Sequence, residues 1–111
     1  MPGIVPLGSS TIINASSSAA NVSYSPNLTN TFRFVNVGSG TVYVGVFNDP
    51  TVAANIAVPS AGSPSPGVVG IPTGWFEIVS GNFGAQNQNT IYCAAITSTG
   101  SCPVVITPVR D

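Results

Sequence analysis

The chain has 111 residues, enough to bury one core, and reads as a single domain. Only 5% of them are charged (Arg33, Arg110, Asp49, Glu77 and Asp111), against about 25% in an ordinary soluble domain, and neither lysine nor histidine occurs. A net charge of −1 offers no electrostatic footprint for nucleic acid, and no apolar run approaches the ~18 residues that cross a bilayer, so neither partner is expected.

The same inventory speaks against catalysis. Without histidine there is no triad of the usual kind and no His-based metal site. Without lysine there is no Schiff base and no P-loop. Three carboxylates, one of them terminal and another in a turn, make a poor glycosidase pair. No enzymatic activity, metal or cofactor is expected. So few charges also leave the surface little protection against association, which points to a surface covered by partners in the working state.

Ten prolines, twelve glycines and abundant Val, Thr and Ser predict short strands joined by many turns. The expected fold is all-β, a single antiparallel β-sandwich, jelly-roll-like, of about 7–8 short strands. Residues 1–10 read as an extended N-terminal arm and residues 11–111 as the sandwich. Two prolines and no alternation mark the arm, which lacks the basic start and long apolar core of a signal peptide. That absence predicts either a chain made and used in the cytosol or one already in its mature form.

Along the sandwich, Thr11 to Asn14 and Asn21 to Tyr24 are strand candidates around a low-complexity run, Ala15 to Ala20. The turn Ser25-Pro26-Asn27 follows. Thr31 to Asn48 is the most strongly patterned stretch. It reads as two strands closed by Gly38-Ser39-Gly40, a three-residue loop with a left-handed glycine third. That hairpin would pair Val37 with Thr41, Phe34 with Val44 and Phe32 with Val46. One face then carries Phe32, Phe34, Val42, Val44 and Val46, interrupted by Asn36. The other carries Thr31, Arg33, Val35, Val37, Thr41, Tyr43, Gly45 and Phe47, too apolar for a face meant only for water. Either a second sheet or loop covers it, or it meets another protein chain. Val35, Val37, Tyr43 and Phe47 are the candidate contact patch, extended by the arm and by the surface loop Pro59 to Gly67.

Beyond Asn48-Asp49-Pro50, a turn signal, Thr51 to Val58 fits an edge strand or one helical turn. Val68 to Ile71 and Trp75 to Val79 read as strands around Pro72-Thr73-Gly74. Trp75 should anchor the core or an interface, while Glu77 should point outward. Phe83 sits in the polar loop Ser80 to Asn89 as a further contact candidate. Thr90 to Thr97 and Ser101 to Val109 form a second expected hairpin, closed by Ser98-Thr99-Gly100. Pairing Thr97 with Ser101 groups Tyr92, Ala94, Ile96, Cys102, Val104 and Ile106, and puts Cys93 and Cys102 on opposite faces. A one-residue slip leaves them ~13 Å apart along the ladder at about 3.3 Å per residue. A disulfide needs Cα atoms within about 7 Å, so two reduced thiols are predicted.

Arg33-Phe34-Val35-Asn36-Val37-Gly38 followed by Val42-Tyr43-Val44, then Ile71-Pro72-Thr73-Gly74-Trp75-Phe76-Glu77, Tyr92-Cys93-Ala94-Ala95-Ile96, and a close with Gly100 and Val104-Val105-Ile106-Thr107-Pro108, form an ordered series of short motifs. Over roughly Thr31 to Pro108 the chain resembles small β-rich virion proteins of tailed bacteriophages, including capsid decoration (cement) proteins. The resemblance implies a non-catalytic structural role in the virion, with the major capsid protein or other virion proteins as partners. It also implies self-association, a trimer being favoured, and synthesis in the bacterial host cytoplasm. A tail, neck or fibre component is the neighbouring expectation. A carbohydrate-binding or adhesin-like sandwich, stacking a sugar on Trp75, Tyr43 or Tyr92, is the alternative from another class.

Overall fold

A computed structural model describes residues 5–60, 62, 67–81, 83, 87–98 and 100–110. Its elements in chain order are β1 (Val5–Pro6), β2 (Thr11–Ala15), β3 (Ala20–Tyr24), β4 (Thr31–Asn36), β5 (Val42–Phe47), α1 (Pro50–Ala54), β6 (Val69–Ile71), β7 (Phe76–Ser80), β8 (Ile91–Thr97) and β9 (Cys102–Arg110). The β-rich composition therefore gives the expected all-β sandwich, with strands close to where alternation put them. Between Thr51 and Val58 the helical alternative is the one adopted. Asp49 caps α1, its side-chain oxygen accepting from the Thr51 N–H at 2.8 Å, and Pro50 opens the helix where its missing N–H costs nothing.

Two antiparallel sheets face each other, ordered β2-β9-β4-β7 and β3-β8-β5-β6, with β1 continuing the edge beside the end of β9. Four nested pairs explain this order: β2 with β9, β3 with β8, β4 with β7, and β5 with β6. A long hairpin tipped by β5 and β6, rolled until β9 lies beside β4 and β8 beside β5, has this topology. It is a jelly roll. Part of the expected arm is built in, since Val5 and Pro6 pair with Arg110 and Val109 and the Leu7 N–H donates to the Pro108 carbonyl. Residues 1–4, and most of the loop between Pro59 and Gly67, lie outside the described residues.

Rolling overturns both expected hairpins. β4 and β5 belong to different sheets, as do β6 and β7, and β8 and β9. Each pair is an arch that steps across the core. The apolar set of the first stretch survives this change, because Phe32, Phe34, Val42, Val44 and Val46 meet across the core instead of beside each other. The last stretch does not survive. Ile91, Cys93 and Ala95 face inward with Cys102, Val104 and Ile106, while Ala94, Ile96 and Tyr92 face the other way. Both cysteines are thus in one core, buried and free, although the opposite-face geometry expected for them is wrong.

The turn chemistry of the first loop also differs. Gly74 and Gly100 take positive φ (79° and 69°), but Gly40 does not. The glycine that matters there is Gly38, where a Cβ would lie 2.5 Å from Cys102 Sγ and 2.9 Å from its Cα. Close passage of the arch over β9, and not a left-handed turn, demands glycine.

Asn36, the polar interruption in the apolar face, is fully buried and holds this end of the roll. Its Nδ2 donates to the carbonyls of Gly40 (2.7 Å) and Ile71 (2.8 Å). Its Oδ1 accepts from the Gly38 N–H (2.9 Å) and the Cys102 thiol (3.0 Å). Its backbone pairs with Trp75 O and Gly74 N. One amide thereby ties both sheets and three arches with every polar atom partnered, which is what makes its burial tolerable.

Candidate functional site

Ladder partners share a face, so the register sorts the first sheet into two sides. Phe32, Phe34, Val104 and Ile106 look into the core. On the outer side, Ile12 pairs with Val105, Val105 with Val35, and Val35 with Phe76, a continuous apolar row across four strands. A second row runs Thr107, Arg33, Ile78, and Val37 flanks the first row at the arch end, its N–H bonded to the Pro103 carbonyl. Among the described residues no element packs on these rows. Ile12 is 62% exposed, Val37 54%, Phe76 48% and Ile78 45%, far above what isolated core-strand positions show. Arg33 lies over the Phe76 ring at 4.6 Å, its guanidinium spread on the apolar face. Its interactions within the chain include no carboxylate partner among the described residues.

β7 carries much of this surface because it is the sheet's edge, with one ladder partner and one open side. Glu77 is exposed, as expected from its charge. It nevertheless shares its ladder position with core-facing Phe34, which leaves Phe76 and Ile78 on the outer face. A carboxylate on the inner side of an edge strand is one device that blunts edge-to-edge pairing.

The structure divides the sequence-derived contact patch between opposite sides of the sandwich. Val35 sits half-buried in the middle of the outer face of the first sheet, and Val37 at its rim. Tyr43 and Phe47 lie on the outer face of the second sheet, where Phe47, Ala94 and Ile96 pack with Ala53 and Ile56 in a second small core. The four residues therefore form no common patch, because the hairpin that placed them side by side is an arch. Trp75 is not in the core: it is 65% exposed at the head of β7, its carbonyl held by the Asn36 N–H. Phe83, expected as a contact residue in the polar loop, packs against the main core instead, and its ring fills the space a Cβ on Gly81 would need.

Phe76, Ile78 and Ile12 were missed by sequence reasoning. The strand alternation in Phe76-Glu77-Ile78 holds the signal, but a charged residue between two apolar ones suggests the opposite orientation unless the strand is known to be an edge. No protein-family model matches the chain, and no curated protein sequence matches it. Function must be argued from the face itself. Among the described residues no group of three His, Cys, Asp or Glu side chains gathers to hold a metal ion, and no helix is long and apolar enough to cross a membrane.

Proposed function

We propose that this chain is a non-enzymatic structural protein of a bacteriophage virion, which decorates and stabilises the capsid shell through protein–protein contacts. The observation that carries this reading is the bare apolar face across β2, β9, β4 and β7. Water is a poor neighbour for such a surface, and covering it gains about 25 cal/mol per Å2 of apolar area removed. Repeated over many copies on a shell, a modest contact per copy becomes a large total. The low charge and the resemblance in motif order support the same reading. Jelly rolls serve in viral capsids and in lectins alike, so the topology agrees with the role without choosing it.

The major capsid protein is the partner, with self-association as a trimer, and the virion is the location. Arg33, which has no carboxylate partner among the described residues, favours a partner surface that brings one. The experiment compares the wild-type chain with a Phe76→Ser/Ile78→Ser variant for binding to undecorated shells of the phage that encodes it, read by cosedimentation and cryo-electron microscopy. Stoichiometric, ordered binding that the double change abolishes is the expected result. A wild-type chain that stays in the supernatant at every concentration sinks the proposal. Light scattering across a wide dilution range gives the oligomeric state separately.

A further inference from the structure

A second feature lies at the opposite sheet, where β5 runs into α1 and the chain enters β8. A hollow of about 470 Å3 opens there, lined by Asn48, Asp49, Pro50, Gln88, Asn89, Thr90 and Tyr92. Its size falls within the ~300–1,000 Å3 range of small-molecule sites. Three amides, a carboxylate and a hydroxyl converge beside one aromatic ring, with no cationic side chain and little aliphatic surface.

Two of these groups are held in place before any ligand arrives. Asp49 Oδ1 accepts from the Thr51 N–H at 2.8 Å, which fixes the carboxylate and leaves Oδ2 as an acceptor. Asn48 Nδ2 donates to Asn87 Oδ1 at 3.2 Å, which orients the Asn48 amide. Asn87 in turn brackets the approach to β8, donating through Nδ2 to the Asn89 carbonyl (3.1 Å) and accepting from the Asn89 N–H (3.3 Å). The Asn89 and Gln88 side chains are left exposed at the rim. Tyr92, ladder partner of Phe47, is half-buried on the second core, so its ring is backed by packed side chains.

We propose that this hollow binds a neutral sugar. Adjacent hydroxyls of a pyranose both donate and accept, which matches a fixed carboxylate acceptor beside amides that offer both functions. The apolar C–H side of the ring matches an aromatic wall with a polar tip. An anionic ligand finds no cation in the lining, and a single carboxylate is too little for a divalent cation, which takes six or more oxygens. The site is independent of the bare face of the other sheet, so either assignment stands without the other.

Amide NMR titration of the full chain with trisaccharides of glucose, galactose, mannose and N-acetylglucosamine tests it. One of these should give saturable shifts at Asn48, Asn89 and Tyr92, with a dissociation constant of about 1 mM. Gln88→Ala and Asn89→Ala, both at exposed positions, should weaken that binding about tenfold while leaving the remaining spectrum in place. The proposal is overturned if none of the four sugars gives saturable shifts, if the shifts map to Trp75, or if both variants bind like the wild type.

Discussion

On the outer side of the second sheet, Phe47, Ala94 and Ile96 meet Ala53 of α1 and Ile56 just beyond it, and are buried; on the outer side of the first sheet, Ile12, Phe76 and Ile78 meet water. Both sides obey the same two-residue alternation, and both are apolar. The difference comes from the connections. The link from β5 to β6 is the long one, and it folds back over its own sheet with a helical turn. Among the described residues, no connection of the first sheet folds back over its outer side. Which apolar face becomes core and which stays available for a partner is thus set by where the long connection attaches, not by how hydrophobic the face is.

Removing the cover's main contact should have the largest effect. Phe47→Ala empties the second core and should cost about 3–5 kcal/mol, seen as a large fall in the urea midpoint. A stability within experimental error of wild type would mean that α1 does not seal this face. Gly45→Ala attacks the same cover from the sheet side. The new Cβ would stand 2.5 Å from the Gly67 carbonyl oxygen and 2.6 Å from the Phe47 ring, so a loss of about 1–3 kcal/mol is expected in the same assay.

The core between the sheets can be checked through Cys93, whose thiol is pushed above its ordinary range by burial. In the unfolded chain this thiol ionises near its usual value of about 8.5 while the folded chain keeps its proton. Its contribution to stability is therefore complete below about pH 8.5 and falls as pH rises above it, by up to about 1.4 kcal/mol per pH unit. Urea titrations on either side of that pH should show the loss, and Cys93→Ala should remove it. Equal slopes in the two proteins would contradict the burial. A smaller effect is expected at the cap: Asp49→Ala should lower stability by about 1 kcal/mol by freeing the Thr51 N–H. Smallest of all is the bare face. Phe76→Ser with Ile78→Ser should lower the unfolding free energy from urea titration by less than about 1 kcal/mol, since little packing is lost, yet it should abolish shell binding. A large destabilisation there would show that the two outer faces do not differ as described.

Much of the fold was legible residue by residue. Val-Thr-Gly-Pro composition gave the β class, alternation in Phe32-Arg33-Phe34 and Val42-Tyr43-Val44 gave strands and their inward positions, and Pro72-Thr73-Gly74 gave a turn. The site was less legible. Strand alternation in the sequence puts Val35 and Val37 on one face with Arg33, whereas Tyr43 and Phe47 were joined to them through a hairpin that does not form. β8 was misread because it is buried on both sides, with the main core against Ile91, Cys93 and Ala95 and the second core against Ala94 and Ile96. A strand buried on both faces loses the alternation that reveals its orientation.

By itself the sequence determined which segments extend, which of their residues avoid water and where the chain must turn, because these depend on side-chain chemistry and on neighbours close along the chain. Tertiary structure alone decided that consecutive strands cross between sheets, that Asn36 becomes a buried tie and not a flaw, and that Phe76 and Ile78 are left uncovered. A hairpin and an arch place the same apolar residues against a core. Only pairing between strands distant in sequence, such as β2 with β9 and β4 with β7, distinguishes them.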